Sequence, residues 1–213
     1  MLWFSRLIGF AALVSTVSCQ DEPDSKSIAD LQTGFTFGSF TNDNGITYNI
    51  AIPSDAITAG NFDVVFQTIV PIGVGWSGFA WGGSMTYNPL TIVWLNGQDM
   101  VVSSREAYGY YVPPVYENAT YTILQGGTHV NSTHYQVTVK CTGCTYWGDT
   151  DFGYTALDPT QSVAFAFAFS MTPPENPTDG ASSFSIHDQV GHWIHDLTQG
   201  SNPSFASIVT KNS

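Results

Sequence analysis

The chain has 213 residues, of which 43% are hydrophobic, 14% aromatic and only 10% charged, with 20 glycines and 11 prolines. Such a chain is too apolar to be disordered and too rich in Gly, Pro and aromatics for a helical bundle, so an all-β domain is expected. Five Lys and Arg against 17 Asp and Glu give a net charge of −12, which leaves too few cations to neutralise a run of phosphates and excludes nucleic acid and anionic membrane surfaces as partners.

At the N-terminus, Arg6 precedes the apolar run Leu7 to Val17, which ends at Ser18-Cys19-Gln20. One cation, a short apolar core and small residues predict a secretory signal peptide over residues 1–19. The run is too short for a permanent membrane helix, and no later segment is long and apolar enough to span a bilayer. A lipoprotein anchored at Cys19 is the rival, but the residues before that cysteine fit it poorly. The expectation is one secreted, extracellular domain over residues 20–213 with no membrane anchor in its mature form.

Residues 20–30 are polar and acidic and read as a lead-in without periodicity. Short runs rich in β-branched and aromatic residues follow. Thr33 to Phe40, the turn Asn42-Asp-Asn-Gly45, and Ile46 to Ile52 predict strand, turn, strand. Further strands are predicted over Val64 to Val70, Gly75 to Trp81, Leu90 to Leu95, Met100 to Ser104, Tyr121 to Leu124 and Tyr135 to Lys140, with Asn96-Gly97 as a hairpin signal. The run Val163-Ala-Phe-Ala-Phe-Ala-Phe169 alternates small with large. As a strand it sends Phe165, Phe167 and Phe169 to one face, filling a core between sheets, and Ala164, Ala166 and Ala168 to the other. The alanine face leaves room for a bulky ligand or a close-packed loop. Phe184 to Leu197 carries a partial helical stripe broken by Gly191, and reads as that or as a loop ending in helical turns. Many short strands with turns between them point to a single β-sandwich domain.

Cys141 and Cys144 form a Cys-x-x-Cys pair, the pattern of a redox dithiol, half a zinc site or a tight disulfide. The pair follows a strand in a secreted chain and has no second ligand pair, which favours a structural disulfide that fixes a turn. Asn118-Ala-Thr and Asn131-Ser-Thr are glycosylation sequons and predict surface positions. His187, His192 and His195 cluster late in the chain, but their spacing matches no zinc-helix signature, so each reads first as structural or surface. Gly82-Gly83 allows close backbone approach to a ligand, and Met85 follows it in a Ser- and Asn-rich setting that looks like a rim.

Several motifs occur together and in order: Trp81-Gly-Gly-Ser-Met85, Asn88-Pro-Leu90, Trp94-x-Asn96-Gly97, Arg105-x3-Gly109-Tyr110, Cys141-x2-Cys144-Thr-x-Trp147, and Ser183-Phe184-x2-His187-x3-Gly191 with Asp196-Leu197. In these the chain resembles the cytochrome domain of cellobiose dehydrogenase over nearly all of its mature length. The resemblance implies a DOMON-like antiparallel β-sandwich binding one b-type haem, with Met85 and His187 as the axial iron ligands and Tyr110 at a haem propionate. It also implies Trp94 as a haem-packing side chain and Arg105 as a propionate partner. Thioether plus imidazole fills both axial positions and suits electron exchange without bond chemistry. Cys144 is followed by Thr145, against covalent c-type attachment, and no Gly-x-Gly-x-x-Gly fingerprint accompanies the domain. The implied role is a b-type cytochrome that passes single electrons from a flavin-dependent sugar dehydrogenase or small reductant to an extracellular acceptor, with a copper-dependent lytic polysaccharide monooxygenase foremost. The rival from another class is a haem-free carbohydrate-binding β-sandwich that uses its six Trp and ten Tyr as a stacking platform. A secreted metallohydrolase built on the late histidines is a further rival, without a recognisable general base.

Overall fold

The computed structural model describes residues 22–58, 60–151 and 153–213; the signal-peptide expectation falls outside them. In chain order the strands are β1 (Lys26–Ala29), β2 (Thr36–Thr41), β3 (Thr47–Pro53), β4 (Val64–Pro71) and β5 (Trp76–Ala80). They continue with β6 (Pro89–Asn96), β7 (Asp99–Glu106), β8 (Thr120–Ile123), β9 (His129–Val130) and β10 (His134–Thr142). The last five are β11 (Tyr146–Asp149), β12 (Gly153–Ala156), β13 (Ser162–Ser170), β14 (Gln189–Asp196) and β15 (Ser201–Asn202), followed by the helix α1 (Phe205–Asn212).

Two main sheets form an all-β sandwich. One runs β1-β2-β3-β4-β10-β8, with β9 on β10 and β15 parallel to β3; the other runs β14-β13-β5-β6-β7. The remaining main-sheet pairings are antiparallel, while β11 and β12 form a separate hairpin. The Asn96-Gly97 signal is met: Asn96 pairs with Asp99, and Gly97 adopts φ 66°, which a glycine supplies without steric cost.

Alternation along the strands sends one face of each sheet into a shared aromatic core. Phe165 stands 4.8 Å from Phe79 between ring centroids, and Phe66 stands 4.9 Å from Phe79, so rings of both sheets interleave. The disulfide joins Cys141 to Cys144 at the end of β10, both wholly buried, and the Tyr121 hydroxyl lies 3.3 Å from Cys144 Sγ. The outer face of the larger sheet is not solvated either. Phe35, Phe37, Ala51, Val65 and Leu124 pack there beneath Phe205, Ile208 and Val209 of α1, a spacing of i, i+3, i+4 that gives the helix its one apolar stripe.

Two expectations are corrected here. The segment that carries a partial helical stripe is the edge strand β14, paired with β13 from Ser162↔Asp196 to Phe169↔Gln189. Trp193 and His195 are its inward residues, and only Leu197–Gly200 turns as a short 3-10 helix. The polar lead-in contains β1, held by its ladder to β2 rather than by burial of its own side chains.

Candidate functional site

The outer face of the five-stranded sheet is built from the alternate residues of four strands. Trp76, Gly78 and Ala80 of β5, Leu90 and Ile92 of β6, Ala166 and Ala168 of β13, and Val190 and His192 of β14 all line one cavity of about 640 Å³. The small residues in the middle strands are what leave this space. The alanine face of β13 therefore fronts a cavity, while Phe165 and Phe169 are buried on the core side. Three connections close the cavity: β5 to β6 with Ser84, Met85 and Thr86; the segment after β7 with Tyr110, Tyr111, Val112 and Pro113; and β13 to β14 with Phe184, Ser185, Ile186 and His187. The volume lies within the range of about 300–1,000 Å³ usual for cofactor and small-molecule sites.

Each donor-bearing connection is held by its own neighbours. In the Met85 connection the Asn88 side-chain amide donates to Ser84 O at 3.1 Å, Ser84 Oγ at 2.8 Å and Thr86 O at 2.9 Å, folding the chain around Met85. Tyr87 next to it has φ 60°, a costly conformation for a residue with a side chain. Its backbone is fixed on both sides, donating to Ala107 O at 2.8 Å and accepting from the Trp147 indole at 3.2 Å. Gly83, at φ 74°, approaches Ala164 O so closely that a Cβ there would come within 2.8 Å of it. In the His187 connection, Asp188 accepts hydrogen bonds from the Met171 backbone and the Ser170 hydroxyl, and these, backbone first, hold its carboxyl below the usual range.

Of the five cofactor residues expected from the sequence, the structure brings Met85, His187 and Tyr110 to the cavity. Met85 and His187 are half-buried, whereas Tyr110 is 93% exposed at the rim. Neither Trp94 nor Arg105 is among the residues that line the cavity. Trp94 follows Leu90 and Ile92 on the same strand face but is fully covered, its indole donating to Pro177 O at 2.8 Å. Arg105 is 2% exposed and directs its guanidinium into the protein. It donates to Ser103 Oγ at 2.6 Å, Pro113 O at 2.8 Å, Gly180 O at 2.9 Å and Ser182 O at 2.8 Å. With those bonds it ties the connection bearing Tyr110 to the one bearing His187. Phe184 packs under it at 5.4 Å.

Trp76 in the wall and His192 beside Ala166 belong to the cavity; the sequence marked Trp76 only as part of a strand and His192 first as structural or surface. Period-2 alternation on β5 carried the signal for Trp76. For His192 the signal was masked by the helical reading of its strand. The three late histidines do not converge on a metal, because His192 and His195 alternate to opposite faces of β14. Among the described residues no group of three or more His, Cys, Asp or Glu side chains stands ready for a metal ion. Trp76, Trp81, Trp94, Trp147 and Trp193 are all buried, so they supply no open sugar-stacking platform.

Near the Met85 connection the Tyr108 hydroxyl donates to Glu106 Oε2 at 2.8 Å, and this bond, with lesser help from burial, pushes Tyr108 up to about 12.

Comparison with known proteins places this geometry. Residues 29–207 match the family model of the cytochrome domain of cellobiose dehydrogenase. A pyrroloquinoline quinone-dependent pyranose dehydrogenase of Coprinopsis cinerea is 30% identical over 197 residues, covering 91% of this chain and 26% of the relative; the chain thus spans about a quarter of that protein's length. The crystal structure of the cytochrome b domain of pyranose dehydrogenase from Coprinopsis cinerea superimposes with a TM-score of 0.78 at 26% identity, covering 90% of this chain and 96% of that one. The cytochrome domain of Myriococcum thermophilum cellobiose dehydrogenase gives a TM-score of 0.79 at 26% identity, covering 91% and 98%. With the family model matched over residues 29–207 and the sandwich superimposed on both cytochrome domains, this chain belongs to the family of cytochrome domains of cellobiose dehydrogenase.

Proposed function

We propose that this chain holds one haem b in the cavity, with Met85 and His187 as iron ligands, and relays single electrons. The observation that carries the reading is that a thioether and an imidazole, from connections far apart in the sequence, line one largely apolar cavity. The donor set and the lining fit the group: soft sulfur and neutral imidazole serve iron, and Trp76, Leu90, Ile92, Ala166, Ala168 and Phe184 supply apolar walls. When bound, haem would supply a one-electron couple, and Met85 and His187 are the residues that would hold its iron. The walls would exclude water from the group, and the two connections would hold Met85 and His187 toward it. Tyr110, at the open rim, is the residue that would meet a propionate.

The donor is a sugar dehydrogenase, flavin-dependent as the sequence resemblance implies or quinone-dependent like the Coprinopsis relative. The acceptor is an extracellular oxidoreductase, foremost a copper-dependent lytic polysaccharide monooxygenase. Secretion is supported by the N-terminal sequence, by the buried disulfide and by two exposed sequons, Asn118 and Asn131, open to glycosylation. No helix among the described residues is long and apolar enough to cross a membrane.

The test is the visible spectrum of the purified chain, oxidised and reduced, after expression with haem supplied. A six-coordinate low-spin spectrum that shifts on reduction is expected; a colourless protein that takes up no added haem refutes the reading.

A further inference from the structure

A directed chain of hydrogen bonds runs along the cavity wall to the residue that follows His187. The Trp76 indole lies 3.4 Å from Ser185 Oγ, Ser185 Oγ lies 3.1 Å from Ser170 Oγ, and Ser170 Oγ lies 2.9 Å from Asp188 Oδ2. An indole only donates and a carboxylate only accepts, so each hydroxyl between them must accept from the Trp76 side and donate toward Asp188. The Ser170 hydroxyl also accepts from the Thr172 N–H at 3.1 Å. Asp188 Oδ2 takes the Met171 N–H at 2.7 Å, and the Asp188 N–H donates to Phe169 O at 2.8 Å. Residues on both sides of His187 are thereby fastened to the end of β13 and to β5, with Ser170 itself only 1% exposed.

We propose that Asp188, acting through Ser170 and Ser185, is the positioning residue for His187, holding the imidazole toward the cavity before any ligand arrives. The proposal rests on the haem reading above and adds to it where the orienting force comes from. His187 lies outside any strand or helix, and a free loop would have to be ordered at the moment of ligation, at a conformational cost. A bond to a charged acceptor is the strongest member available for such a chain. The Met85 connection is organised differently, by the neutral amide of Asn88 within its own turn and by backbone bonds of Tyr87 to Ala107 and Trp147, so the charged side-chain anchor lies on the histidine side.

The experiment uses the full chain with haem bound and compares Asp188→Ala, Asp188→Asn, Ser170→Ala and His187→Ala. It measures ferric and ferrous spin state, the rate of haem loss to excess apomyoglobin, and the melting of the haem-free chain. Asp188→Ala is expected to lose haem about tenfold faster, as removal of a charged hydrogen bond implies, and to show a high-spin fraction that free imidazole converts back to low-spin. Asp188→Asn, which keeps a carbonyl acceptor, should recover most of the low-spin state, and Ser170→Ala should fall between. Haem-free melting should match the parent in each. An Asp188→Ala variant with the parent's loss rate and spin state, beside a His187→Ala variant that loses its haem, overturns the positioning role and leaves the haem reading standing. Faster loss accompanied by an equal fall in haem-free stability also overturns it, since the effect is then general. A His187→Ala variant with an unchanged low-spin spectrum removes the haem reading and this proposal together.

Discussion

The indole N–H of Trp193 donates to Nδ1 of His195 at 3.2 Å inside the core, on the face of β14 turned away from the cavity. Nδ1 must then carry a lone pair, which puts the hydrogen of the neutral ring on Nε2, an atom with no hydrogen-bond partner in the structure. Burial drives the His195 pKa down to about 4. In the unfolded chain the ring takes a proton below about 6.5, while the folded chain refuses it until near 4. Stability is therefore complete above the unfolded value and falls as the pH drops through that window, by roughly 3 kcal/mol at most. For a chain of this size the fall is roughly 6–12 °C in Tm. His195→Gln keeps an acceptor for Trp193 without the titration, so its melting curve should be flatter between pH 7 and 4.5 than the parent's. Equal slopes in haem-free samples would assign the acid sensitivity to carboxylates instead.

Arg105→Ala should destabilise the domain by about 3 kcal/mol, because three backbone carbonyls and Ser103 Oγ lose a charged donor together. Lysine does not replace it, since a single ammonium cannot reproduce the planar fork that joins Pro113, Gly180 and Ser182. Denaturant unfolding of both variants measures the loss, and haem dissociation should quicken in parallel because the bridged connections bear Tyr110 and His187. A loss below about 1 kcal/mol would show that the two connections hold without the bridge.

Met85→Ala should retain part of its haem but at a lower reduction potential, on the order of 100 mV of the roughly 0.8 V that axial ligation commands. The exposed Met171 serves as the control. Potentiometric titration decides between them; the parent's potential in the Met85 variant would take the thioether off the iron.

Among the described residues Arg105 is buried, Lys140 pairs with Asp63 at 2.9 Å, and only Lys26 and Lys211 stand exposed without such a salt bridge. With the whole chain at −12, electron transfer with an acidic dehydrogenase should accelerate when salt is added at pH 7, and again as carboxylates take up protons near pH 4–5. Stopped-flow reduction of the haem across ionic strength and pH provides the measurement. Slowing with added salt would point to a partner with a basic docking face.

Strand alternation, turn residues and the Phe and Ala pattern of β13 were legible along the chain, because side-chain direction reverses at every residue of a strand whatever lies on either side. The two proposed ligands were legible only through the company of ordered motifs; Met85 alone reads as core filler. β14 was not legible, because Trp193, Ile194 and Leu197 fit a helical stripe as well as they fit an edge strand, and only the ladder to β13 settles the choice. That ladder also sends His192 to the cavity and His195 to the core, which their spacing left open. Arg105 had the charge expected of a propionate partner, yet the carbonyls of Pro113, Gly180 and Ser182 claim it, and they meet only once distant connections have folded over the sheet. Local sequence thus determined which side chains share a face. Which surface that face meets was decided by pairing between segments far apart, since a strand's period says nothing about its neighbours.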